Sequence, residues 1–104
     1  MTIQINTDNN IKSDAAQQDY FNTQISEALE RFDSHITRIE VHLKDENGKK
    51  DGVNDKVCVL EARLKGKQPV AVTKNAETIE LAVFGAIDKM KAVVESAVGK
   101  AQTH

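Results

Sequence analysis

Hydrophobic residues in this chain keep two rhythms, one of period two and one of helical period, and their order predicts the architecture. Thr2 to Thr7 alternates with Ile3 and Ile5 on one side, which predicts a short first strand. Asp8-Asn9-Asn10 is turn chemistry. Ser13 or Asp14 is suited to cap a helix, with Gln17 three residues beyond Asp14 in capping-box position. Phe21, Ile25, Ala28, Leu29 and Phe32 keep helical spacing, so this helix is expected to run to Phe32 and bury one stripe. Asp33-Ser34-His35 breaks the pattern.

From Ile36 to Lys44 the alternation returns. Ile39, Val41 and Leu43 share one face, and Arg38, Glu40, His42 and Lys44 share the other. Residues 45–55 are charged, hold two glycines and contain Val53 as their one apolar residue, which predicts a flexible connection between antiparallel strands. Lys56 to Leu64 reads as a third strand with Cys58, Leu60, Ala62 and Leu64 inward and Val57, Val59, Glu61 and Arg63 outward. A Lys65-Gly66-Lys67 turn leads to a fourth strand over Gln68 to Thr73, with Pro69 near its start or on an edge. Asn75 is the expected cap of a second helix reaching Val98, where Gly99 is placed to end it. Its apolar stripe is Ile79, Val83, Ala86, Ile87, Met90, Val94, Ala97 and Val98. The prediction is an α+β fold of order β-α-β-β-β-α: a four-stranded, mainly antiparallel sheet with both helices on one face.

The length of 104 residues suits one domain spanning the chain, with a flexible loop at residues 45–55 and a short tail at 100–104. No apolar run approaches the roughly 20 residues that cross a bilayer, and the first residues lack the basic start and apolar stretch of a secretion signal. A single cysteine, Cys58, excludes an internal disulfide and fits a reducing compartment, so the expected location is cytoplasmic.

Candidate chemistry is sparse. Cys58 sits in an alternating apolar strand and reads as a core residue rather than a nucleophile. His35, His42 and His104 do not cluster at metal-ligand spacing. The run Asp45-Glu46-Asn47-Gly48-Lys49-Lys50-Asp51-Gly52 starts like a calcium loop, but Lys49 and Lys50 stand where an oxygen ligand and a glycine are needed. Glu27 and Glu30 lie near Arg31 as ordinary helix-surface charges. No phosphate-binding glycine motif or nucleophile elbow occurs, so no enzyme, cofactor, metal or small-molecule substrate is expected.

Charge sets the remaining question. Fourteen basic and sixteen acidic residues give a net charge of -2 and a pI near 5.9, whereas nucleic-acid binders usually carry excess Lys and Arg. Any grip on phosphate must therefore be local. Arg63, Lys65, Lys67 and Lys74 surround the last hairpin and the entry to the second helix. Lys89 and Lys100 are eleven residues apart and fall nearly on one line of that helix. Ala82, Gly85, Ala92 and Ser96 flank that line with small side chains. The pattern fits either a phosphate-facing stripe or an ordinary Lys-decorated helix edge. Leu81 and Phe84 lie off the apolar stripe, as scattered exposed residues or as the contact for a weak homodimer.

Several strings, in order, resemble the bacterial ribosome hibernation-promoting factor family, also called ribosome-associated inhibitor or ribosomal subunit interface proteins. Leu29-Glu30-Arg31-Phe32 leading into His35-Ile36 resembles the end of that family's first helix. Ile39-Glu40-Val41-His42-Leu43 is similar to its second strand, and Ala86-Ile87-Asp88-Lys89-Met90 to the start of its final helical motif. Asp45-Glu46-Asn47-Gly48, Glu61-Ala62-Arg63-Leu64 and Gln68-Pro69-Val70-Ala71-Val72-Thr73 look like a short, less basic branch. The likeness spans Ile3 to Lys100.

The resemblance implies a fold like a double-stranded RNA-binding domain and binding in the decoding region of the small ribosomal subunit. The implied action is steric, blocking translation and protecting idle ribosomes. The cations available for rRNA are Arg31, Arg63, Lys65, Lys67, Lys74, Lys89, Lys91 and Lys100. Better-known members carry further Lys or Arg on the last helix, where this chain has Val93 and Ser96, which implies weaker and less salt-sensitive binding. The sequence ends soon after the helix, so the extra domain by which long members pair two ribosomes is expected to be missing. A second reading keeps the fold, weakens the RNA site and makes the chain a protein-binding regulator, for example a transcription-factor modulator.

Overall fold

A computed structural model describes residues 1–8, 11, 14–46 and 55–102, with side chains only as far as residue 99. In chain order the elements are β1 (Thr2–Thr7), α1 (Ala15–Ala28), a 3-10 turn (Glu30–His35), β2 (Ile36–Asp45), β3 (Lys56–Leu64), β4 (Val70–Ala76) and α2 (Ile79–Gln102). The four strands form one sheet in the order β1-β2-β3-β4. The β2-β3 and β3-β4 pairs are antiparallel, and β1 runs parallel to β2 because α1 carries the chain back across the sheet between them.

The alternation places its apolar residues as expected. Ile39, Val41 and Leu43 of β2 and Cys58, Leu60, Ala62 and Leu64 of β3 are buried. Phe21, Ile25 and Leu29 come down from α1 onto that surface, and Val83, Ala86, Ile87, Met90, Val94 and Val98 from α2, forming one core. The α2 helix packs over β3 and β4, and α1 lies beside β1. Both helices therefore cover one face, leaving Arg38, Glu40, Glu61 and Arg63 on the other.

Asp14 caps α1, accepting from the backbone N–H of Gln17 at 2.8 Å. The α-helix stops at Ala28, short of the Phe32 expected from spacing, and a 3-10 turn follows. The reason is periodic: residues three apart, such as Leu29 and Phe32, stay aligned in a 3-10 turn, so burial alone does not separate the two geometries.

The second half of the chain departs from expectation at three boundaries. Strand β4 covers Val70–Ala76 rather than Gln68 to Thr73, because β3 extends far enough for Lys56 to pair with Ala76. Asn75 consequently lies in the strand, and the α2 cap is Thr78, whose Oγ1 accepts from the Leu81 N–H at 3.1 Å. Gly99 does not end α2, which continues to Gln102. Gly66 does adopt the left-handed conformation its turn requires, with φ of 68°.

The connection after β2 begins and ends on buried carboxylates. Lys56 Nζ bridges Asp55 at 2.9 Å and Asp45 at 3.2 Å, and the Glu46 N–H donates to the Asp55 carbonyl at 2.9 Å. The expected flexible loop and the calcium-like run fall mainly on residues 47–54, outside the described residues.

Candidate nucleic-acid interface

The cations singled out from the sequence divide among four places. Lys65 and Lys67 are exposed at the β3–β4 turn, which is held to the end of the 3-10 turn by the Lys65 N–H donating to the His35 carbonyl at 3.0 Å. Among the described residues neither lysine makes an ion pair. They are available to an external anion.

Lys74 and Lys89 meet at the seam between edge strand β4 and α2. Lys74 is in register with Cys58 and so projects toward the helices. Its stem lies against Gly85, where an added Cβ would come within 2.7 Å of Cγ and 2.9 Å of Cδ and Cε. Lys89 Nζ donates to the Thr73 carbonyl at 2.8 Å. Neither is paired with a carboxylate among the described residues. Gly85 thus admits a lysine stem, and Ala82 is wholly buried, so these two small residues are not an open approach for phosphate. Ala92 and Ser96 are exposed and, with Val93 and Ala97, line a shallow open depression farther along α2.

Arg31 and Lys91 belong to the seam between α1 and α2. Arg31 pairs with Glu95 at 2.7 Å, the two side chains 59% and 62% exposed, and its guanidinium lies 4.6 Å from the centre of the Phe32 ring. Lys91 stands one turn before Glu95, on the same side of α2. Arg63 is on the helix-free face, 3.6 Å from Glu40 and 3.9 Å from Glu61. Arg38 is 3.8 Å from Glu40 and also bonds to Gln4, so two arginines and two glutamates neutralise each other there. The side chain of Lys100 lies outside the described residues. Four lysines therefore lack a carboxylate partner among the described residues, Lys65 and Lys67 at the β3–β4 turn and Lys74 and Lys89 at the seam of β4 with α2, while Arg31 and Arg63 are held by carboxylates elsewhere.

The remaining candidates take structural places. Cys58 is wholly buried, and burial pushes its thiol pKa up to about 12, so it stays protonated and unreactive. No group of His, Cys, Asp or Glu among the described residues is arranged to hold a metal. No described helix is long and apolar enough to cross a membrane.

Phe84 is not a scattered exposed residue: it is half-buried and meets Tyr20 of α1 edge to face, ring centres 6.3 Å apart. Sequence reading passed over Tyr20, which stands one position off the α1 stripe beside Phe21. The Tyr20–Phe84 and Arg31–Glu95 contacts are each 64 residues apart, so α1 with its 3-10 extension runs in the same direction as α2.

Solved structures of other proteins share this fold. The Protein Y N-terminal domain of Thermus thermophilus matches with a TM-score of 0.73 at 18% identity, over 92% of this chain and 98% of that one. A ribosomal subunit interface protein from Coxiella burnetii matches with a TM-score of 0.71 at 13% identity, over 95% of this chain and 99% of that one. At such identities the likeness establishes the fold. Comparison with curated protein sequences finds no match. The pattern of the family described as sigma 54 modulation protein / S30EA ribosomal protein matches residues 3–102. With that match covering nearly the whole chain, the protein belongs to the sigma 54 modulation protein / S30EA ribosomal protein family.

Proposed function

We propose that this chain is a non-enzymatic, cytoplasmic, ribosome-associated factor that binds the decoding region of the small subunit, blocks translation and protects idle ribosomes. The observation that carries the reading is the family match over residues 3–102. The fold shared with a Protein Y domain and a ribosomal subunit interface protein agrees with it.

The physical grip assigned to RNA is the lysine group flanking β4. Lys65 and Lys67 at the turn and Lys74 and Lys89 at the edge supply charge that no described carboxylate cancels. Arg31, Arg63, Lys91 and Lys100 complete the proposed set; Arg31 and Arg63 would have to exchange a carboxylate for a phosphate. Such exchange is feasible because exposed ion pairs contribute only about 0–1 kcal/mol. Fewer phosphate contacts than a more basic last helix would make predict weaker and less salt-sensitive binding, though binding that raised salt still reverses.

Occupying the decoding region acts by exclusion, so no reacting group is required. A reconstituted translation reaction tests this. The full chain, added in excess over ribosomes, should inhibit initiation, and preloading with mRNA and initiator tRNA should relieve the inhibition. Inhibition unaffected by preloading, or none at low salt, would rule the mechanism out.

A further inference from the structure

The helix layer carries charge of one sign over much of its length. Residues 14–30 hold Asp14, Asp19, Glu27 and Glu30, and residues 77–88 hold Glu77, Glu80 and Asp88. All seven carboxylates are exposed, and neither segment contains a Lys, Arg or His. The rest of the chain therefore has all 14 bases against nine acids. A net charge of -2 conceals an uneven distribution: these two segments are acidic, and the rest of the chain, including Lys89, Lys91 and Lys100 farther along α2, is basic.

Within the acidic segments lies an apolar surface. Leu81 is 55% exposed and Tyr20 45% exposed, and Tyr20 packs on half-buried Phe84. Leu81 and Phe84, three residues apart, share one side of α2. Glu80 stands one turn before Phe84 and Asp88 one turn after it, so carboxylates border the apolar residues at both ends.

We infer that this surface docks a cationic protein segment, with an apolar side chain seated among Tyr20, Leu81 and Phe84 and flanking Lys or Arg side chains facing Glu80 and Asp88. Charge complementarity selects this occupant. A second copy of the chain, docked through the same patch about a two-fold axis, would set Glu80 and Asp88 against carboxylates of the same kind. RNA would bring phosphates to an acidic rim. A basic segment satisfies both features at once, and it leaves the lysines of the β3–β4 turn and the β4 edge available. The inference stands apart from the ribosomal reading, since it uses none of the proposed RNA-binding residues.

Tyr20 is the sole tyrosine and the chain has no tryptophan, so intrinsic fluorescence reports on this surface alone. The full chain is titrated with a synthetic amphipathic peptide of Lys and Leu, with a Glu and Leu peptide of the same pattern, and with a short single-stranded RNA. The Lys/Leu peptide should give a saturable change in Tyr20 emission. That affinity should fall by about tenfold in Glu80→Lys/Asp88→Lys, as expected when charge pairs are reversed, and should also fall in Leu81→Ser. All three substitutions are at exposed positions, and far-UV circular dichroism confirms that the variants fold. The proposal is overturned by the absence of a saturable response, by equal responses to the Lys/Leu and Glu/Leu peptides, or by variants that titrate like the parent. A Tyr20 response to RNA alone would assign the surface to nucleic acid. A wild-type dimer that Leu81→Ser dissociates would assign it to a second copy.

Discussion

Lys89 of α2 donates its ammonium to the main-chain carbonyl of Thr73 on edge strand β4, at 2.8 Å. The bond ties the long helix to an otherwise open sheet edge, where unsatisfied acceptors invite pairing with other chains. Lys89 thus has a structural task alongside any contact with phosphate. Replacing it with Met keeps much of the stem and removes the donor. Lys89→Met should cost about 1 kcal/mol, the usual net worth of such a bond, measured by urea denaturation. An unchanged midpoint would show that the bond contributes nothing in solution.

Gly85 and Lys74 should be energetically coupled. An alanine at an exposed helix position normally gains about 0.8–1.0 kcal/mol over glycine. Here the new Cβ would strike the Lys74 stem at 2.7 Å, so Gly85→Ala alone should gain little or lose stability. In a Lys74→Ala background the same change should recover the full helix gain. A double-mutant cycle by chemical denaturation measures the difference, and strict additivity would contradict the packing described.

Alkaline pH should destabilise the fold in two stages. The Cys58 thiol is raised from 9.0 to about 12 by burial. Its protonated form is favoured in the native state, so its stabilising contribution is whole below pH 9 and is lost as pH rises toward 12. Lys56 is raised above 10.5, first by its bond to Asp55 and then, against an opposing desolvation, by Asp45. Its contribution is whole below that value and lost above its native pKa. Thermal melting should be flat from pH 7 to 9 and decline beyond. Cys58→Val should remove the part of the decline that starts near pH 9 and leave the later part.

Lys65 and Lys67 separate binding from stability. Both are exposed and unpaired among the described residues, so Lys65→Glu/Lys67→Glu should leave the melting temperature almost unchanged. Losing two phosphate contacts should lower the slope of log affinity against log salt by about 1.4–1.8. Binding to small-subunit RNA across a salt series measures it. An unaltered slope would place the RNA contacts elsewhere.

How much of this was legible in the sequence varied with the physics of each segment. Strands β2 and β3 can be read almost residue by residue, because one buried face forces strict alternation from Ile39 to Leu43 and from Cys58 to Leu64. Strand β4 cannot. Its inward position 74 is a lysine whose stem packs on Gly85 while the sequence registers only a charge, so the strand appears to end at Thr73. The cap expected at Asn75 fails for the same reason, since the register with β3 draws Asn75 into the sheet and leaves Thr78 to begin α2. The candidate cations were nameable, but their partners were not: Arg31 finds Glu95 across 64 residues and Arg63 finds Glu40 across the sheet. Separation of the seven helix carboxylates from the bases was present in the linear sequence, though only folding brings Tyr20 to Phe84 and makes the acidic segments one surface.

The most direct test of the central claim is sedimentation of the full chain with purified small ribosomal subunits through a low-salt gradient. The chain should travel with the subunit near one copy each, and raised salt or Lys65→Glu/Lys67→Glu should leave it at the top of the gradient. A wild-type chain that stays at the top, or a double variant that travels as fully as the wild type, would contradict that claim.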